Sequence, residues 1–249
     1  MMTERQTKIL QIVNENQKVE VALLAEMLDV SQVTIRKDLD ALEEKRLLVR
    51  EHGYAQMCNP DDINNRLAVR YDVKQRIARA AAEIVASGET VMIESGSSCA
   101  ILAEILATEK KDVTVITNSA FIAAHIRDTA IGKVILLGGD YQKESQVMVG
   151  PLVRKCAREF YVDKLFMGTD GFIPQAGFTC GDMMRAEAMK NMAESAKHSI
   201  ILTDSSKFSQ QGVVLQCRFE NVGMVFTDSG IPDSAKTILE RNQITVCAV

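Results

Sequence analysis

Residues 30–40 read "VSQVTIRKDLD", and that stretch predicts a helix built to enter a groove. Ser31 suits an N-cap, and Val30 before it can staple onto Ile35 at the fourth helical position. Ile35, Leu39 and Leu42 recur at i, i+4 and i+7 and form the buried face. Gln32, Val33, Thr34, Arg36 and Lys37 are left on the outside of the first two turns. Gln and Arg can make paired hydrogen bonds to base edges, Val and Thr can touch a thymine methyl, and Lys neutralises a phosphate. The small cap lets the helix end sit deep in a groove. Ser31, Gln32, Val33, Thr34, Arg36 and Lys37 are therefore the candidate DNA-reading set. The plainer alternative is a solvated face on an ordinary three-helix unit.

Upstream, "TERQTKILQIVNENQ" opens with Thr3 and Gln6 at the spacing of a capping box, and Ile9, Leu10 and Val13 share a face. In "VEVALLAEML", Val21, Leu24, Ala25 and Leu28 form a second helical stripe. Asp29 breaks it, and Asp tolerates the left-handed backbone that a tight helix–helix turn needs. Downstream, "RLLVREHGYAQM" reads as two short strands around a Glu-His-Gly turn. Such a wing would bring Arg50 and His52 to the DNA backbone or minor groove. The first 57 residues hold eight Lys/Arg against ten Asp/Glu. Yet Arg36, Lys37, Lys45, Arg46 and Arg50 fall within fifteen positions, which suits local contact and not bulk coating of nucleic acid.

The whole-chain charge of −4 sets the same limit. Six cysteines without a CxxC pair read as free thiols in a reducing, cytoplasmic setting. His52, His125 and His198 lie far apart, so neither metal nor cofactor is expected. No apolar run is long enough to span a membrane, and "MMTERQTKIL" lacks a signal-peptide pattern. Pro60 and the Asp/Asn cluster in "CNPDDINNRLAVRY" mark a linker whose later part can already be helical. The expected division is residues 1–57, a linker over 58–74, and a second domain over 75–249.

In that second domain, strand-like runs at 90–94, 113–117, 133–138, 164–169, 199–204, 222–228 and 244–249 alternate with helical patterns such as "CAILAEILAT" and "MRAEAMKNMAESAK". The alternation predicts an α/β fold with a mostly parallel sheet covered on both faces. Ligands in such sheets bind beyond the carboxyl ends of the strands, and polar residues gather there. Ser95, Gly96, Ser97 and Ser98 follow the first run and precede a helix, so their N–H groups can meet an anion. Thr117 and Asn118 end the second run, and Gly138 and Gly139 end the third. Asp170 and Gly171 follow the fourth, and Asp204 to Lys207 follow the fifth. Each alone is an ordinary turn; together they suit a phosphorylated sugar, with Asn118 and Asp170 for hydroxyls and Lys207 for phosphate. Glu187 and Lys190 could reach the same place or form a surface i, i+3 pair. Cys99 and Cys180 lie near these loops, so a redox switch is conceivable.

The segment "KILQIVNENQKVEVALLAEMLDVSQVTIRKDLDALEEKRLLVREHGYA" closely resembles the winged helix–turn–helix of the DeoR family of bacterial transcriptional regulators. There an "LLxRxHGG"-like wing follows a "VSxxTIRRDLxxLE"-like helix. Tyr54 replaces the second wing glycine, and Lys37 stands where arginine is common. The resemblance continues over nearly all of the chain. It implies a second domain related in fold to ribose-5-phosphate isomerase that senses a phosphorylated sugar, with Gly96, Ser97, Ser98, Thr117, Asn118, Asp170, Gly171 and Lys207 lining the effector pocket. It also implies that the effector relieves repression. The chain is thus expected to be a regulator of a carbohydrate operon that binds double-stranded operator DNA. Because one winged domain buries little surface on DNA, a homo-oligomer, dimer or tetramer, is expected. The rival from another class is a sugar-phosphate isomerase-like enzyme using Asp170, Lys207 and Glu187; a third is a protein–protein adaptor.

Overall fold

Helix α1 (Glu4–Asn16) starts at the expected capping box: Thr3 N–H donates to Gln6 Oε1 (3.1 Å), and Gln6 N–H donates back to Thr3 Oγ1 (3.2 Å). The computed structural model describes residues 3–16, 18–44, 47–57 and 61–249. After α1 come β1 (Lys18–Glu20), α2 (Val21–Met27) and α3 (Gln32–Glu44). Between the two helices Asp29 adopts φ 51°, the left-handed turn anticipated from its residue type. The wing is β2 (Leu48–Glu51) and β3 (Tyr54–Met57), paired antiparallel, and β1 adds to it in the order β1-β3-β2. Ile9, Leu10, Leu24, Ile35, Leu39 and Leu42 have no exposure and form one core beneath the three helices. Each such side chain stabilises the fold by about 1.5–3 kcal/mol relative to leaving it exposed.

The chain divides into two compact units, Met1–Tyr71 and Asp72–Val249. The expected linker over 58–74 is largely helical where it is described. Asp62 caps α4 (Ile63–Ala68) by accepting from Asn64 N–H (2.9 Å), and Ala68 and Val69 pack into the first unit's core. Two apolar side chains behind a good cap therefore draw this segment into folded structure. Residues 58–60, where the linker was expected to begin, lie outside the described residues, as do Lys45 and Arg46.

The second unit runs α5 (Tyr71–Glu83), β4 (Thr90–Ile93), α6 (Ser97–Glu109), β5 (Thr114–Thr117), α7 (Ala120–His125), β6 (Lys133–Leu136), β7 (Asp140–Gln142) and β8 (Val147–Val149). It continues with α8 (Pro151–Ala157), β9 (Val162–Met167), β10 (Gly171–Ile173), β11 (Gly177–Cys180), α9 (Met183–Ala193) and β12 (Ala196–Leu202). The last elements are β13 (Val214–Arg218), β14 (Met224–Thr227), α10 (Asp233–Arg241) and β15 (Thr245–Ala248). The seven strand-like runs become the seven parallel strands of one sheet, ordered β15-β14-β12-β9-β4-β5-β6. β12 starts at Ala196, earlier than expected, because Ala196 already pairs with Val162 of β9. Two smaller antiparallel pieces were not anticipated: β10-β11-β13 and the β7–β8 hairpin.

From β4 the chain steps to β5 and β6 on one side, then returns to β9 on the other side and moves on through β12, β14 and β15. The strand order therefore reverses between β4 and β9, and a crevice at such a switch point is where an α/β sheet offers its ligand site.

Candidate functional site

On α3, Ser31 Oγ accepts from Thr34 N–H (3.2 Å) and forms the expected cap. Val30 packs against the core that holds Ile35. Ser31, Gln32, Val33, Arg36 and Lys37 are exposed and Thr34 is half-buried. Val33 is 63% exposed, which leaves its methyl groups free to meet a thymine methyl. The helix is held from behind: its buried Asp38 pairs with Arg5 of α1 and is hydrogen-bonded by Gln6. That pairing raises the Arg5 pKa, chiefly through the hydrogen bond to Asp38. Asp40 on the outer face is neutralised by Arg50 of the wing (2.7 Å), while no ion pair holds Arg36 or Lys37 among the described residues. Two cations thus stand unpaired beside Gln32 and Val33. Arg50 is committed to Asp40, so a DNA phosphate must compete for it.

At the wing tip His52 (φ 49°) and Gly53 (φ 85°) are both left-handed, the requirement of a two-residue type I′ hairpin. His52 is exposed there. Tyr54, where the resemblance leads one to expect a second glycine, already pairs with Glu51 and Glu20 inside the sheet. The turn therefore closes without that glycine.

In the second unit, the loops after β4 and β9 meet at the switch point. Glu94, only 3% exposed, accepts from Gly96 N–H (2.9 Å) and Gly168 N–H (3.1 Å) through Oε2, and from the Ser95 hydroxyl (2.5 Å) through Oε1. A Cβ on Gly96 would lie 3.0 Å from Gly168 Cα, so the two loops touch backbone to backbone. Ser95 is spent on Glu94. Ser97 and Ser98 open α6 and bring the N–H groups of its first turn, which have no partner within the helix.

The other loop ends divide in the same way between scaffold and opening. Thr117 Oγ1 accepts from Ser119 N–H (3.0 Å), and Ser119 caps α7. Asn118 exchanges backbone and side-chain bonds with Met148 of β8, but its Oδ1 is buried with no hydrogen-bond partner among the described residues. A Cβ on Gly139 would meet Val149 O at 2.5 Å, and one on Gly171 would meet Gln210 O at 2.5 Å; these two are packing glycines. Gly138 is exposed. Asp170 accepts from Gly181 N–H (2.9 Å) and ties β9 to β11. Lys207 sits half-buried on a 3-10 turn, Ser205–Ser209, with its ammonium donating to Gln210 Oε1 (3.0 Å). The buried Asp204 caps that turn, and Asp228 accepts from Ser205.

Cys180 senses this neighbourhood. Its pKa is pushed up to about 12, first by burial and next by Asp170, with Arg185 opposing and Glu94 adding to the rise. Such a thiol is poorly suited to redox switching, and Cys99 has no exposure. Among the described residues no group of three His, Cys, Asp or Glu side chains is placed to hold a metal ion, and no helix is long and apolar enough to cross a membrane.

The "DeoR-like helix-turn-helix domain" profile matches residues 5–61, and the "DeoR C terminal sensor domain" profile matches residues 69–229. The chain belongs to the DeoR family of transcriptional regulators. It is 30% identical over 253 residues to YulB, an uncharacterized HTH-type transcriptional regulator of Bacillus subtilis, across 100% of this chain and 97% of YulB. The glycerol-3-phosphate regulon repressor of Escherichia coli K12 is 26% identical over 246 residues, 97% of each chain. Among solved structures, ribose 5-phosphate isomerase A of Methanocaldococcus jannaschii is similar over 55% of this chain and 54% of its own, at 21% identity and TM-score 0.41.

This DeoR-family chain carries site features that its sequence hid. Glu94 reads as the last residue of a strand, and only its bond to Gly168, 74 positions away, reveals it as the clamp between the loops after β4 and β9. Arg185, 6% exposed, lies next to the Asp182 cap of α9 and within electrostatic reach of Cys180. In the sequence it looks like any helical arginine. Glu187 and Lys190 are both exposed on α9.

Proposed function

We propose that the chain is a cytoplasmic repressor of a carbohydrate-metabolism operon whose hold on DNA is set by a phosphorylated sugar. In this reading Gln32, Val33, Thr34, Arg36 and Lys37 contact bases and phosphates of a major groove. Ser31, Arg50 and His52 steady the helix and wing on the backbone. The effector lies beyond the carboxyl ends of β4, β5, β9 and β12. Asn118 Oδ1 accepts from a sugar hydroxyl, and Asp170 holds another. The first turn of α6 with Ser97 and Ser98, together with Lys207 and Arg185, meets the phosphate. Ser95, Gly96, Thr117, Gly138, Gly139 and Gly171 shape the loops. Units 1–71 and 72–249 divide the work between DNA and effector, and the working form is a homo-oligomer that reads repeated half-sites.

The observation that carries the reading is Asn118 Oδ1, a buried acceptor without a hydrogen-bond partner among the described residues, beside strand ends where Ser95, Thr117 and Asp170 are held by internal hydrogen bonds. A buried polar atom left unpaired costs about 1–3 kcal/mol, which a ligand hydroxyl would recover. The glycerol-3-phosphate regulon repressor, similar over almost its whole length, supports both the sign of regulation and the phosphorylated class of effector. For the effector to change DNA affinity it must bind one arrangement of the oligomer better than the other.

The test is anisotropy of a labelled operator fragment and thermal unfolding, each measured against a panel of sugar phosphates. At least one compound should raise the unfolding temperature and weaken DNA binding about tenfold or more. Lys207→Ala should abolish the weakening of DNA binding by the compound while leaving operator affinity in its absence unchanged. A panel that shifts neither measurement, or a Lys207→Ala variant that responds normally, overturns the assignment.

A further inference from the structure

A cavity of about 670 Å³ lies between the last turns of α9, the beginning of β12 and β13. Its volume is within the range that encloses a small metabolite. Its lining includes residues 196–199 at the start of β12, whereas the loop bearing Lys207 leaves the other end of that strand. Lys197 and Lys207 therefore stand at opposite ends of the strand, while Met167 and Gln216 carry the cavity wall up to Gly168 at the strand ends.

The charge of this cavity is unlike that of the chain as a whole. Lys190, Lys197 and Arg218 line it, and none of the three has an ion-pair partner among the described residues. Of the carboxylates on its wall, Glu194 is already held by Arg158 (3.2 Å) and Arg154 (3.7 Å). That leaves Glu220 against three cations. The Lys190 charge is felt inside, where it opposes the rise that burial imposes on the Cys217 pKa.

One wall residue reaches both regions. Gln216 has no exposure; its Nε2 donates to Gly168 O (2.7 Å), the glycine clamped by Glu94. Its Oε1 is buried without a hydrogen-bond partner among the described residues. A free acceptor needs a donor; inorganic phosphate offers only a P–OH on the group the cations hold, whereas a sugar offers hydroxyls at a distance from its phosphate.

We infer that this cavity is a second ligand site, with cations of its own and abutting the strand-end loops through Gln216, for a polyhydroxylated phosphate monoester. Lys190, Lys197 and Arg218 take the phosphate, and Gln216 Oε1 accepts from a hydroxyl.

The experiment is calorimetric titration of the full chain with glucose 6-phosphate, with inorganic phosphate as the comparison. Lys207→Ala isolates the second site by weakening the first. Glucose 6-phosphate should still bind this variant, at least fivefold tighter than inorganic phosphate. Adding Lys190→Ala and Arg218→Ala should weaken that binding tenfold or more. Both added positions are exposed, and an unchanged far-ultraviolet spectrum and unfolding temperature would confirm that the fold is kept. Absence of binding to Lys207→Ala, equal affinity for inorganic phosphate, or indifference to Lys190→Ala and Arg218→Ala would each overturn the inference.

Discussion

Arg36 and Arg50 are both arginines near one surface, yet their situations differ. Arg36 is exposed on α3 without an ion pair among the described residues, while Arg50 is 2.7 Å from Asp40. Arg36→Ala should therefore weaken specific operator binding by about 1–3 kcal/mol and leave the unfolding temperature unchanged; a salt-controlled titration measures the first and calorimetry the second. Unchanged affinity would remove Arg36 from the reading set. The thiols give a second test at this scale. Burial pushes Cys180 and Cys217 up to about 12 from 9.0, so the fraction ionised at pH 8 is roughly 10⁻⁴ in the folded protein. Iodoacetamide at pH 8 should spare both until the chain is unfolded in urea. Because the folded values are raised, the unfolded chain loses its thiol protons first. These two groups therefore make stability fall as pH rises from about 9 towards about 12, which urea midpoints across that window would show.

At the scale of elements, the helix–turn–helix depends on the angle set at Asp29. Its φ of 51° is tolerable for Asp but poor for a β-branched residue. Asp29→Val should destabilise the first unit by about 1–2 kcal/mol, read as a lower urea midpoint with an unchanged slope. No change in midpoint would mean that the turn is not the constraint described here. This part of the fold was legible in the sequence because its signals are local: Thr3 with Gln6, Asp29, Ser31, and His52 with Gly53 each act over a few residues. The seven parallel strands were legible for another reason. The inner ones, β4, β5, β9, β12 and β14, bury consecutive residues and so read as continuous apolar runs, and the edge strands β6 and β15 keep the same apolar composition while half-exposed. The strands β10, β11 and β13 span three to five residues, and Gly177 inside β11 has φ 134°. Nothing in so short and glycine-broken a pattern marks a strand.

Over the whole molecule the illegible features are those made by distance. Glu94 and Gln216 become meaningful only where they meet Gly168, and no spacing rule joins those positions. The polar strand ends could be picked out, but not which of them stay open: Ser95 and Thr117 are spent internally, whereas Asn118 Oδ1 is not. At this scale the account also requires more than one chain on the DNA, since one winged unit offers a single helix to the groove. Sedimentation should show two or four chains bound per operator duplex; a monomer with and without DNA would contradict this.

The central claim is that α3 reads sequence, and its most direct measurement is selection of genomic DNA fragments by the purified full chain, followed by footprinting of those recovered. The account predicts that the fragments share a repeated half-site, with centres separated by about 10–10.5 base pairs or a multiple of that, and that Arg36→Ala loses the enrichment. Recovery of fragments with no common sequence would contradict it.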